Sequence, residues 1–228
     1  MLIVEDLFLL LTDDESGKTY AAGGTTDYAL AGSLLLELLL ERRVRATIEP
    51  KHQGGLLEVV DTTPTGDAIF DHGLSIVAKH DGERLPNVIP PLHIGLRDHL
   101  RESLVAKGIL CVKESKILGI IPHHAWPAQD TVHEHDIVEK VTNALLSVTE
   151  PTERIGALIA ALSALGAETM VLEPEAHGVP RKDVRRRASA IADNADWAPA
   201  DLREGVQLVI GAINTTIMSY TTVPVVPF

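Results

Sequence analysis

The chain predicts a single, mostly α domain spanning residues 1–228, with short β-hairpins at its edge. Apolar residues recur at helical spacing over most of its length, and the final hundred residues hold almost no β-rich run. Only two short stretches read as strand pairs. The composition, 45 % apolar and 23 % charged, suits one soluble globular core. With 4 % aromatic residues, that core must be built from Leu, Val, Ile and Ala.

In chain order, the first helix is expected at 4–11 and stops at the polar turn 12–17. Asp27 is placed to cap a second helix, apolar almost all round, that reaches Arg42; such a helix belongs in the middle of a bundle. Runs 43–48 and 56–60 read as strands joined through Gly54 and Gly55. Thr63-Pro64-Thr65-Gly66-Asp67 is a rigid turn into a helix ending near Lys79. A polar, proline-containing link, 81–91, precedes a helix at 92–107 striped by Leu96, Leu100 and Leu104. Runs 109–112 and 117–121, separated by the polar 113–116, have the signature of a hairpin.

Further along, Val138, Val141, Leu145 and Val148 share a face of a helix over 131–148. Pro151 suits the first turn of the next helix, whose buried stripe is Ile155, Leu158, Ile159 and Leu162. Residues 168–179 read as a loop or hairpin, a basic helix starts near Arg181, and Pro199 opens the last helix. Leu202, Val206, Val209, Ile213 and Ile217 face inward there.

A net charge of −12 disfavours long-range attraction to nucleic acid or anionic lipid, so any polyanion must meet a local basic patch. One cysteine, Cys111, cannot form an internal disulfide and fits a reducing, cytoplasmic setting. The greasy N-terminus is broken by Glu5 and Asp6 and lacks a preceding basic residue, unlike a signal peptide. The apolar run 29–40 is too short to span a bilayer and contains Glu37.

Little here suggests catalysis. His133 and His135 diverge on a helix, the adjacent His123 and His124 cannot chelate one ion unaided, and no His-Glu-x-x-His occurs, so no metal site is expected. Gly23-Gly24 and Thr65-Gly66 are too sparse for a phosphate-cradling loop, and no Gly-x-Ser-x-Gly elbow or cofactor motif is present. The outstanding feature is Arg181, Lys182, Arg185, Arg186 and Arg187. Spacing by four puts Arg181 with Arg185, and Lys182 with Arg186, on adjoining strips of one helix face. Such a face holds lipid phosphate at about 1 kcal/mol per cation. The plain alternative is a solvated face paired with the protein's own carboxylates, and the lipid reading requires those cations to be free of them. Residues 92–121 also outline a winged helix. The helix mixes Asp98 and Glu102 with Arg97 and Arg101, however, too neutral to read DNA.

Several segments in order resemble the Golgi phosphoprotein 3 (GPP34) family. They are Val4-Glu5-Asp6-Leu7 to Leu11, Gly17-Lys18-Thr19, Ala31-Gly32-Ser33-Leu34 on to Arg43-Val44, and Thr63 to Asp67 with Asp71. Leu96-Arg97-Asp98, the stretch Leu104 to Leu110, and Arg154 with Ala157-Leu158-Ile159 complete the set. The resemblance implies a non-enzymatic peripheral membrane protein with a helical core, recognising phosphatidylinositol 4-phosphate and, in eukaryotes, the tails of Golgi glycosyltransferases. It implies a headgroup pocket of one tryptophan and three arginines, which fall on Ala22, Ala31, Glu150 and Glu153 in this chain; only the neighbouring Arg154 keeps its charge. Glutamate repels the phosphate that arginine binds. It also implies a projecting hairpin for membrane insertion and homo-oligomers, here at about 168–181 with Met170, Val171, Leu172 and Val179 as its apolar contacts. Anionic lipid is thus the expected partner, met by Arg154 and the basic helix. A protein adaptor that oligomerises through the hairpin without lipid is the second expectation.

Overall fold

The computed structural model describes residues 1–13, 19, 24–49, 52–117 and 121–222. Among these, helices dominate: α1 (Ile3–Leu10), α2 (Gly24–Leu40), α3 (Ala68–Val77), α4 (Leu85–Leu92), α5 (Leu96–Ala106), α6 (Val132–Leu145), α7 (Glu153–Leu165), α8 (Glu168–Val171), α9 (Arg181–Asn194) and α10 (Arg203–Thr222). Two antiparallel hairpins, β1 (Val44–Glu49) with β2 (His52–Val59) and β3 (Lys113–Ile117) with β4 (Ile121–Ala125), lie apart from one another. No described helix is long and apolar enough to cross a membrane.

Helix α2 is the hub. Twelve of its seventeen residues are buried, as its all-round apolar surface demands, and it packs against α1, α3, α4, α5, α7 and α10. The α10 contact is close because Gly32 has no side chain: a Cβ there would overlap Ile213. On α7, Gly156 makes room in the same way for the ring of Trp197, whose indole N–H donates to the Ile191 carbonyl.

The Thr63–Asp67 turn is a self-closing loop. Asp71 reaches back to accept from the Thr65 N–H, the Thr65 hydroxyl and the Gly66 N–H, while Asp67 caps α3 through the N–H groups of Ile69 and Phe70. Gly66 sits at φ +90°, a conformation that favours glycine. Arg43 donates to the carbonyls of Asp61 and Thr63 and lies over Phe70. The family-like motif is therefore structural.

Several boundaries differ from the sequence reading. Asp27 lies inside the first turn of α2 and pairs with Arg97 rather than capping the helix. The link 81–91 contains α4. It tolerates Pro86 in its first turn, and Pro90 and Pro91 near the end of so short a helix remove few hydrogen bonds. The second hairpin is displaced along the chain: Lys113 pairs with Ala125 and Ile117 with Ile121, so 113–116 is strand and not turn. Ile109 and Leu110 instead close α5 on the Leu104 carbonyl, with Leu110 bridged to Ala128. Helix α6 stops before Val148, which is 67 % exposed. Pro151 lies just outside α7, which Thr152 caps, instead of in its first turn, and Pro199 precedes a turn before α10. Residues 168–179 are no β-hairpin; α8 and a 3-10 turn at Pro174–His177 fill them.

Gly156→Ala tests the closest helix contact. Alanine favours a helix by up to about 1 kcal/mol, but here its Cβ displaces Trp197, and overpacking of this kind costs about 1–3 kcal/mol. Urea unfolding followed by tryptophan emission should show a lower midpoint and an altered native spectrum.

Candidate functional site

Arg154, expected at a headgroup, is tied to a buried carboxylate, with 35 % of its side chain still exposed. Helix α1 is buried on every side, so its Glu5 and Asp6 are fully enclosed, and the Glu37 side chain of α2 is only 10 % exposed. Arg154 on α7 donates through Nε to Asp6 at 2.6 Å and stands 4.0 Å from Glu37; His133 on α6 meets the other Asp6 oxygen at 2.9 Å. Lys107 and Ser103 on α5 donate to Glu5 at 2.6 and 2.7 Å. Glu37 accepts from the Ile3 N–H, tying α2 to the start of α1. Burial pushes the Glu5 carboxyl up, but the bonds from Lys107, the Leu2 N–H and Ser103 outweigh it and leave it below its usual range. Glu37 has less help. Burial raises it to about 7 despite the Ile3 N–H and Arg154, with Asp6 and Glu41 adding to the rise. The sequence signal was available: two adjacent acids in a helix apolar on both sides must be buried with partners.

The basic helix α9 buries Val184, Ala188, Ile191 and Ala192 and exposes Arg181, Lys182, Arg185 and Arg186 together, as the spacing by four requires. Four of the run's five cations face the protein's own acids. Arg181 lies 2.7 Å from Glu175, Arg185 3.4 Å from Glu168, Arg186 3.0 Å from Asp183 and Arg187 3.3 Å from Glu150. The hydrogen bond from Arg181 holds the Glu175 carboxyl below its usual range. Arg185 has a further tie: Glu168 is 3 % exposed, and its second oxygen is buried without a hydrogen bond. Moving Arg185 to a phosphate would strand that carboxylate, at a cost of several kcal/mol. Lys182 alone of the run, among the described residues, has no such partner.

The apolar part of the corner is smaller than expected. Met170 is 47 % exposed, but Leu172 is buried and Val171 and Val179 are half-buried against the core. Of the positions where the resemblance placed a headgroup pocket, Ala22 lies outside the described residues and Ala31 is fully buried in α2. Glu150 precedes α7 and pairs with Arg187, and Glu153 begins that helix. No cationic pocket forms among the described ones.

What α9 does border is a pair of clefts on either side of Arg187 and Ala190. One, about 250 Å³, includes Glu150, Pro151, Ile191 and Trp197; the other, about 400 Å³, includes Leu146, Val179 and Arg186. Each is lined by both apolar and charged side chains. The winged-helix outline is present as α5 and β3–β4. There, however, Arg97 is held by Asp27, and Arg101 by Asp98 and the face of Trp126.

Comparison with known proteins matches the family model described as Golgi phosphoprotein 3 (GPP34) over residues 3–209. The chain is also similar to vacuolar protein sorting-associated protein 74 of Eremothecium gossypii, 25 % identical over an alignment of 167 positions that covers 64 % of this chain. It spans about half, 49 %, of that relative's length.

Glu37 makes stability pH-dependent with a definite sign. Its folded-state value, about 7, lies above its unfolded one near 4.5, so the folded protein holds a proton that the unfolded chain releases in between. That contribution is present below about pH 4.5 and is lost as pH rises through 7. Glu37→Gln should therefore match the parent near pH 5 and exceed it at pH 8 by about 2–3 kcal/mol, measured by urea unfolding at both pH values.

Proposed function

The chain belongs to the Golgi phosphoprotein 3 (GPP34) family, and from that premise we propose that it works as a non-catalytic docking protein that meets a protein partner along α9. One observation carries this reading: the guanidinium row is matched by the protein's own carboxylates beside clefts lined by both apolar and charged side chains. Protein–protein contacts commonly mix apolar side chains with paired polar groups in this way. A second copy of the chain is one partner it would accept.

Binding of anionic lipid headgroups, with phosphatidylinositol 4-phosphate as the ligand the family suggests, is the second reading. It is favoured by the exposed Lys182 and Met170 and by the weakness of exposed ion pairs, worth about 0–1 kcal/mol each. Membership supports a peripheral role at Golgi-type membranes under either reading.

Sedimentation with phosphoinositide-containing vesicles separates them. The docking reading expects no lipid-dependent pelleting even at low salt. Salt-sensitive pelleting, abolished when Arg185, Arg186 and Arg187 become Glu, would reverse the order of the two. Light scattering of the full chain checks for self-association, and Ala190→Arg should lower the measured mass if a second copy seats on α9.

A further inference from the structure

Away from α9, two imidazoles meet where α3 crosses α5. The rings of His72 and His99 have centroids 4.4 Å apart and are tilted by 41°. His72 Nε2 and His99 Nδ1 are both buried, and neither has a hydrogen-bond partner. A neutral imidazole keeps one ring nitrogen with a lone pair, and an unpartnered nitrogen is free to offer it to a metal ion.

We infer that His72 and His99 form a two-histidine site for a divalent transition-metal ion. Two rings bound through nitrogen at about 2.1 Å, with a right angle at the ion, have centroids about 4.5 Å apart. The observed spacing is close to that. Burial and the neighbouring His99 lower the His72 pKa, which favours the neutral, ligating form at pH 7. Both side chains are only half-buried, so an ion has a way in and water can complete its coordination. Imidazole donors at a right angle suit Ni²⁺ or Cu²⁺ and discriminate against Mg²⁺. Among the described residues no third His, Cys, Asp or Glu joins a metal-binding group. The site is consequently open and exchangeable. Neither histidine belongs to the proposed docking surface, so the two proposals stand or fall separately.

Calorimetric titration of the untagged full chain with NiCl₂ at pH 7.5 tests it. One ion should bind per chain, and His72→Gln and His99→Gln should each weaken binding by roughly tenfold or more. His135→Gln, at an exposed position, should leave it unchanged, as should added MgCl₂. Absence of binding, or binding indifferent to both substitutions, overturns the site. Should a variant unfold, Co²⁺ added to the unmodified protein decides: paramagnetic shifts must fall on the His72 and His99 rings, and shifts confined to other histidines reject the proposal.

Discussion

Enclosing carboxylates in the first helix obliges three later segments to send hydrogen-bonding partners to it. Glu5 and Asp6 lie at 0 % exposure, and Lys107 of α5, His133 of α6 and Arg154 of α7 converge on them from positions about a hundred residues or more away in the chain. A buried charge left unpaired costs several kcal/mol, so these helices cannot slide or rotate about α1 without heavy loss. Glu37 adds α2 to the same knot through the Ile3 N–H. Leucines give the core its cohesion. The charge knot supplies register, since apolar contacts alone allow many packings of similar helices.

This constraint reaches the surface. Because Arg154 is tied to Asp6, the cation expected at a headgroup has its charge matched within the fold, although its side chain stays 35 % exposed. On α9 the same matching recurs in milder form, with Glu168, Glu175, Asp183 and Glu150 each claiming an arginine. A protein of net charge −12 that also neutralises its basic helix projects little positive field. Under the proposed docking role, recognition at that helix rests on shape and short-range contact in the flanking clefts.

Periodicity revealed the helices because burying one face imposes its spacing wherever the helix lies. The inward residues of α7 and α10 follow the stripes read from the chain, Ile155 to Leu162 and Leu202 to Ile217. Turns were read less well. The β3–β4 hairpin was misplaced because Ile109 and Leu110, though rich in β character, are held by the end of α5 and by Ala128. Helix α4 was missed because three prolines look like a linker, yet a helix of eight residues has few internal bonds for them to break. Leu172 was read as a membrane contact, but a short helix turns it inward, to 1 % exposure.

By itself the sequence determined the mostly α class, the hub character of α2, the shared face of Arg181, Lys182, Arg185 and Arg186, and the resemblance to the family. Each is a matter of spacing within one segment or of order along the chain. Tertiary structure alone decided which charges are free. The acids that neutralise the basic run come from before α7, from α8, from the 3-10 turn and from α9 itself, and the partner of Arg154 lies 148 residues away along the chain. Charge pairing depends on distances in space, and one-dimensional spacing does not encode them beyond a single turn of helix.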